Sequence, residues 1–356
     1  MQQGVLYHDG EEKLALAKLF EHRRLKPKLV ELLKEAKQKV PQGKRLRASG
    51  QMNYSRVTEE LQKAVENRWL TEEKIANTLG HAELSGNQHI LLYEFPGNNA
   101  SERTQFLNAI ASPTGQSTNA KRVSHYTTVP RRSVHQIVSS NPDEAIVKIV
   151  AEREYWTENV LDESDRNRIV YEKIRHSERC PVIVKASIHE KLIQIRVSPR
   201  QKGDSGSARN HHDFAIKALS GHYDLDDEHG WFQQMTAIPL SSGFPAIVND
   251  HSLLVEMWAD SPEDRKVTSR FRNRGRPKLG SDLRKYKHWN HSSGYARKSL
   301  SGFFRCGSSG QTLFAHLHDD KIPESFGRDR VSRVFISRFC EDGEIEHAIK
   351  AIRAHI

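Results

Sequence analysis

Positive charge is concentrated in one stretch of this chain, residues 262–298, and that stretch limits how the chain can fold. It contains twelve lysines and arginines against three acidic residues, a local net charge of +9, whereas the whole chain of 356 residues carries +10. Like charges without partners repel one another and favour an expanded chain. We therefore predict that residues 262–298 form a long loop projecting from the folded body, where concentrated positive charge is suited to binding a polyanion.

The centre of this segment is Arg274-Gly275-Arg276-Pro277, with Lys278 on its flank. Glycine lets the backbone approach the floor of a DNA groove, and the two arginines can reach adenine N3 and thymine O2 in the minor groove of AT pairs. Proline fixes its own φ angle and presents no amide donor. The motif resembles the AT-hook, a short Arg-Gly-Arg-Pro element with basic flanks that lies extended in the minor groove of AT-rich DNA. The resemblance covers only this motif and its flanks, and it implies that Arg274 and Arg276 lie in the minor groove.

The predicted partner is nucleic acid, with duplex DNA favoured and RNA retained as an alternative. Aromatic residues interleave with the charge, and side chains of this kind stack on unpaired bases; they are Phe271, Tyr286, Trp289 and Tyr295. A single copy of the motif anchors weakly, so other basic stretches such as residues 37–47 are candidates for further phosphate contacts. The predicted DNA-binding residues are Arg270, Arg272, Arg274, Gly275, Arg276, Lys278, Arg284, Lys285, Lys287, Arg297 and Lys298.

Composition is typical of a soluble protein with room for two domains. Hydrophobic residues make up 36% of the chain and charged residues 28%. No run of eighteen apolar residues is present, so no membrane span is predicted. Cys180, Cys306 and Cys340 are far apart and lack the Cys-x-x-Cys spacing of zinc sites. The expected location is the reducing cytoplasm, with association with the nucleoid as a narrower hypothesis, and no cofactor is predicted.

Hydrophobic spacing predicts an α+β fold in two parts. Residues 1–86 have the spacing of a helical module, with Thr71 at a helix start and Gly80 as a helix C-cap. Residues 87–356 mix strands and helices without the regular alternation of a doubly wound sheet. Within this second part, residues 182–197 are predicted to form a hairpin and residues 344–355 a final helix.

A metal-dependent nuclease is the first alternative function. Residues 211–229 are rich in histidine and acidic side chains, and many such nucleases place an Asp before a strand-borne Glu, as Asp250 and Glu256 are placed here. The spacing argues against both sites, because glycine comes one position late for a calcium-binding loop and Trp258 stands where these nucleases have a lysine. We interpret the first as an exposed acidic turn and the second as an edge strand. No catalytic and no metal-binding residue is predicted.

The second alternative is a scaffold or adaptor whose helical module, residues 1–86, recruits a partner protein. In that case the basic segment would add only weak, non-specific affinity for DNA. The favoured interpretation is a non-catalytic protein that contacts duplex DNA through residues 262–298 and their AT-hook-like motif.

Overall fold

The computed structural model of the chain describes residues 5–85, 88–118, 122–165, 168–200, 208–250, 254–260, 268–272, 299–306, 311–325, 328–336, 340 and 342–356. The chain begins with the helices α1 (Gly10–His22), α2 (Lys26–Lys37), α3 (Tyr54–Glu66) and α4 (Glu72–Leu84). Side-chain oxygens of Asp9, Asn53 and Thr71 accept backbone amide hydrogens and so cap the N-termini of α1, α3 and α4. The predicted N-terminal helices, and Thr71 as a helix start, are confirmed.

Helix α4 continues to Leu84, so Gly80 lies inside it and the predicted C-cap is wrong. Close packing accounts for this glycine. A Cβ atom at residue 80 would lie 2.9 Å from the hydroxyl of Tyr126, a buried side chain of the short helix α6 (Ser124–Thr127). Tyr126 thereby joins the hydrophobic core of the four N-terminal helices, although it lies in sequence beyond the boundary predicted near residue 86.

The rest of the chain is built on an eleven-stranded sheet whose paired neighbours run antiparallel. Its strands are β1 (Gln88–Glu94), β2 (Val134–Ser140), β3 (Glu144–Asp165), β4 (Arg168–Ser187), β5 (Leu192–Val197), β6 (Thr236–Ala237), β7 (Leu254–Asp260), β8 (Thr268–Arg272), β9 (Ser299–Cys306), β10 (Gln311–Ser325) and β11 (Arg328–Ile336). The order across the sheet is β2-β3-β4-β5-β1-β11-β10-β9-β7-β8, and β6 pairs with β1.

Helices cover both faces of this sheet. They are α5 (Ala100–Ile110), α7 (Ala208–Leu219), α8 (Trp231–Gln234), α9 (Leu240–Asn249) and α10 (Asp342–Arg353). Residues of α5, α7 and α8 share one hydrophobic core with the sheet, and residues of α9 and α10 share another. Strand β5 contributes side chains to both cores. Ile193 and Ile195 lie in the first and Leu192 in the second, because successive residues of a strand point to opposite faces of the sheet.

Strands β3 and β4, of 22 and 20 residues, extend well beyond their neighbours. Strand β2 pairs with β3 only as far as Val150, so the outer part of β3 and β4 forms a two-stranded ribbon, which we call the β3–β4 arm. Within the described ranges, no helix combines the length and the apolar composition that crossing a bilayer requires.

The α+β class is confirmed, with a helical N-terminal region followed by a sheet. The hairpin predicted over residues 182–197 is formed by β4 and β5, and the predicted final helix is α10. The boundary predicted near residue 86 falls between α4 and β1, where helix gives way to sheet.

Candidate nucleic-acid interface

Residues 262–298 were predicted to be a loop, but the part of them that the structure describes is a strand. Residues 268–272 form β8, the last strand in the sheet order, with Arg270 paired to Trp258 and Arg272 to Glu256. The sequence Thr-Ser-Arg-Phe-Arg places Phe271 between two arginines, an alternation that fits a strand and that the high charge obscured. Strand β7 lies between β9 and β8, so the edge position predicted for the strand of Glu256 is wrong and belongs to β8.

Two predicted DNA-binding residues, Arg270 and Arg272, therefore lie on an edge strand. Alternate residues of a strand share one face, so the two positions lie on the same side of β8. The remaining predicted residues, at positions 274–298, and the AT-hook-like motif lie outside the described residues.

A second basic stretch is well placed for contact with phosphates. Residues 36–58 include six lysines and arginines and no acidic residue, and residues 38–53 form the connection between α2 and α3, which we call the α2–α3 loop. Leu46 is buried in the core of the N-terminal helices, whereas the side chains on either side of it, Arg45 and Arg47, are exposed. The apolar anchor thus presents two arginines to solvent from a fixed backbone.

Polar contacts hold the α2–α3 loop against α3. The amide of Arg47 donates to Glu60 Oε2 at 2.9 Å, and Lys63 donates to the carbonyl of Arg45. Lys44 donates to Asn67 Oδ1 at 3.2 Å. These contacts to Arg45 and Arg47 use backbone atoms, and neither guanidinium group forms an ion pair with any side chain that the structure describes.

The histidines considered for a nuclease site are dispersed. His211, on α7, is buried and stacks on His89 of β1 with ring centroids 3.7 Å apart. His222 is also buried, with its Nδ1 2.7 Å from the carbonyl oxygen of Thr114 and 3.3 Å from Nδ1 of His135. His211 and His222 therefore belong to two separate packed environments, and His229 is exposed.

The acidic groups considered for that site are equally separated. Asp224 and Asp227 are exposed and accept amide hydrogens from residues two positions further on, which is the predicted exposed turn. Asp250 ends α9 and lies 2.9 Å from Nε2 of His355, and Glu256 lies on β7. Across the described ranges, no three His, Cys, Asp or Glu side chains converge as metal binding would require.

Six charged side chains are buried between the N-terminal helices and the sheet. Glu83, at the end of α4, accepts from both terminal nitrogens of Arg179 and, at 3.3 Å, from Lys148. Glu178 accepts from Arg153 Nε at 2.7 Å. Each is at most 9% exposed. We call this group the buried basic seam; its members are Arg23, Glu83, Lys148, Arg153, Glu178 and Arg179.

Arg23 differs from the other cations of the seam. Its Nη1 donates to Ser198 Oγ at 2.7 Å, but its Nε has no hydrogen-bond partner among the described residues, and the side chain is only 3% exposed. Arg153 has Glu178, and Arg179 and Lys148 share Glu83. With four cations and two carboxylates, the seam holds an excess of two positive charges.

Burial, together with the charges of the seam, shifts the pKa of His22 and of two seam residues. Burial, assisted by Arg23 and Arg153, lowers the pKa of His22 to about 3, so that His22 is neutral at pH 7. Burial also lowers the pKa of Lys148, although the nearby Glu83 carboxylate opposes the shift. Burial disfavours the charged form of Glu83, yet Arg179 and Lys148 outweigh it and hold the pKa of Glu83 below its ordinary value.

A groove of about 500 Å³ opens beside the seam, between α1 and the β3–β4 arm. Leu14 lines it from α1, and Tyr155 and His176 line it from the arm. Glu178 and Arg179 line it as well, so the groove reaches the seam. We call it the α1–arm groove. Leu14 is 52% exposed, which leaves an apolar surface open on the α1 side.

Sequence reasoning did not find the seam or the groove. A signal for the seam does exist, because Lys148 interrupts the apolar run of Ile146, Val147, Ile149 and Val150, and a cation inside a buried strand needs a partner on a packed element. The partner, Glu83, is 65 residues away in sequence. Spacing alone does not connect the two.

Comparison with known proteins adds little to this geometry. No protein-family model matches the chain, and no curated protein matches its sequence. Among solved structures, the chain is similar to the crystal structure of DynU16, from the dynemicin biosynthetic locus, with 10% sequence identity and a TM-score of 0.17 over 76% of this chain and 96% of DynU16. A TM-score this low does not show a shared fold.

Proposed function

We propose that the chain binds duplex DNA, without catalysing a reaction on it, through the α2–α3 loop and the basic segment of residues 262–298. The observation that carries the proposal is the pair of exposed arginines, Arg45 and Arg47, on a loop anchored by Leu46 in a stretch free of acidic residues. Guanidinium groups that need not first break an internal ion pair are available for phosphate oxygens.

The two surfaces have different roles in this proposal. Phosphate contacts from the α2–α3 loop supply affinity that does not depend on base sequence, because the DNA backbone is the same throughout. Arg274 and Arg276 of the AT-hook-like motif supply a preference for AT pairs, since the narrow minor groove of AT-rich DNA has an enhanced negative potential. The edge strand β8, with Arg270 and Arg272, leads into this motif and adds cations beside it.

Recruitment of a protein by residues 1–86 stays a separate prediction. The nuclease alternative is not favoured, because the histidines and carboxylates on which it depends lie in different parts of the described structure. RNA remains the competing nucleic acid, and a direct competition decides between it and duplex DNA.

Equilibrium binding to AT-rich and GC-rich duplexes of equal length tests both roles. We expect Arg274→Ala/Arg276→Ala to abolish a preference for the AT-rich duplex, because minor-groove contacts are lost. We expect Arg45→Ala/Arg47→Ala to weaken binding to both duplexes by the same factor, because only phosphate contacts are lost. Fluorescence anisotropy with an unlabelled single-stranded RNA competitor completes the measurement.

Two results would contradict the proposal. Equal affinity of the wild type for AT-rich and GC-rich DNA removes the minor-groove assignment. Preferential displacement of the duplex by single-stranded RNA shows that the basic surfaces bind RNA instead.

A further inference from the structure

The two carboxylates of the buried basic seam do not neutralise its four buried cations. Moving a guanidinium from water into the protein interior is strongly unfavourable unless carboxylates and hydrogen bonds compensate for it. Arg23 has one hydrogen-bond partner, the neutral hydroxyl of Ser198. The carboxylate that favours its charged form is Glu83, which Arg179 and Lys148 already share, and the seam as a whole has two more cations than carboxylates. An anion bound at this position would supply the missing charge and the missing acceptor.

The α1–arm groove comes within one helical turn of Arg23, although Arg23 itself does not line it. Leu19 lines the α1–arm groove, and Arg23 follows it by one helical turn at the end of α1. Arg179, whose terminal nitrogens donate to Glu83, also lines the groove, together with Lys18 and the carboxylates of Glu11 and Glu178. A ligand lying in the groove can therefore point one end toward the surplus charge of the seam.

The groove also indicates the nature of the rest of the ligand. Its volume falls in the range of small-molecule sites, about 300–1,000 Å³. Its walls include the rings of Tyr126 and Tyr155 and the exposed side chain of Leu14. Aromatic and aliphatic walls favour a flat or apolar ligand body, and the guanidinium fork of arginine is suited to phosphate.

We propose that the α1–arm groove binds a small phosphate ester, with the phosphate at the Arg23 and Arg179 end and the organic body beside Tyr155 and Leu14. This site is independent of the proposed DNA contacts, because none of its residues belongs to the α2–α3 loop or to residues 262–298. The same chemistry is present in inorganic phosphate and in a nucleoside monophosphate, and the two are separated below.

Isothermal titration calorimetry on the full chain tests the site with three probes: inorganic phosphate, adenosine monophosphate (AMP) and adenosine, all at one ionic strength set with sodium chloride. We expect AMP to bind more tightly than phosphate and adenosine to bind most weakly. We expect Arg23→Met to weaken phosphate and AMP binding by about tenfold or more, the loss of one charge-assisted contact. The matched control is Arg24→Met, which removes an exposed cation at the next position.

A second variant locates the ligand body. Leu14→Asp lies on the open wall of the groove and is expected to weaken AMP binding while leaving phosphate binding unchanged. Should Arg23→Met fail to fold, Arg23→Lys retains the charge but lacks the fork, and it is expected to weaken phosphate binding by a smaller factor.

The proposal is overturned if phosphate and AMP bind the wild type no better than chloride at equal ionic strength. It is also overturned if Arg23→Met and Arg24→Met have equal effects, since general charge screening would then suffice. If Leu14→Asp leaves AMP binding unchanged, the groove does not hold the ligand. None of these results bears on binding of duplex DNA by the α2–α3 loop, so the two proposals fail separately.

Discussion

The α2–α3 loop and the buried basic seam both hold more cations than carboxylates, yet they do so in opposite environments. In the loop, Arg45 and Arg47 remain in water, where like charges are screened. In the seam, Arg23 and Lys148 are at most 3% exposed. Lys148 forms an ion pair with Glu83, a carboxylate that it shares with Arg179. A cationic side chain therefore lowers the stability of the fold little in the loop and considerably in the seam.

This difference separates two kinds of partner. Solvated cations on a fixed loop suit a long polyanion that many weak contacts can hold, and their contribution declines with salt. Desolvated cations suit one small anion, because few contacts are made and each is strong in a low-dielectric environment. Net charge alone does not distinguish the two regions, because both have more cations than carboxylates.

The largest effect expected from this comparison is that of Glu83→Gln. The substitution keeps the shape of the side chain but leaves Arg179 and Lys148 buried without a carboxylate, which costs about 3–5 kcal/mol when one partner of a buried pair is removed. Urea unfolding in phosphate-free buffer measures it. The control is Glu59→Gln, at a partly exposed carboxylate that pairs with Lys13 and Arg56, where we expect a loss below about 1 kcal/mol.

Equal losses of unfolding free energy for Glu83→Gln and Glu59→Gln would contradict the difference drawn between the seam and the surface. In that event the seam would be as well solvated as the surface, and its excess charge would need no anion.

A smaller effect is expected at His22, whose pKa of about 3 results first from burial and then from Arg23 and Arg153. The unfolded chain takes up a proton near pH 6.5, whereas the folded chain does not until the pH is much lower. The stability contribution is therefore complete above pH 6.5 and is lost as the pH falls toward 3, by at most about 1.4 kcal/mol per pH unit.

Replacing His22 with Gln removes this titration and should flatten the decline in unfolding free energy from pH 7.5 to 5.5 by on the order of 1 kcal/mol. Urea unfolding at a series of pH values gives the two curves, and His125→Gln, at an exposed histidine, serves as the control. Parallel curves for the wild type and His22→Gln would show that neither burial nor the cations of the seam lower the pKa of His22.

Much of the fold was predictable from the sequence because it depends on local periodicity. The helical spacing before residue 86 and the β-rich runs of residues 182–197 correspond to elements of the structure. Gly80 was misassigned because the reason for a glycine there, the hydroxyl of Tyr126, comes from a residue far along the chain. Residues 268–272 form strand β8 and not the predicted loop, because the alternation of arginines around Phe271 is compatible with a strand despite the high charge.

The candidate sites were less predictable, because they depend on contacts between distant residues. The basic stretch of residues 37–47 was recognisable from composition, but only the buried position of Leu46 shows which arginines face solvent. The seam joins Arg23 to Ser198 and Glu83 to Arg179, pairs that no local pattern relates. Sequence analysis can identify a charged residue inside an apolar strand; the fold decides which partner it meets.

Proposed binding to duplex DNA is tested most directly by affinity for one duplex across a salt series. The wild type is compared with Arg45→Ala/Arg47→Ala and with Lys173→Ala/Arg175→Ala, which removes the same charge from exposed ion pairs on the β3–β4 arm. Counterion release predicts that losing two phosphate contacts reduces the steepness of log affinity against log salt by about 1.8, with no change for the arm variant. Equal slopes for the wild type and the loop variant, or the same reduction for both variants, would contradict DNA binding through the α2–α3 loop.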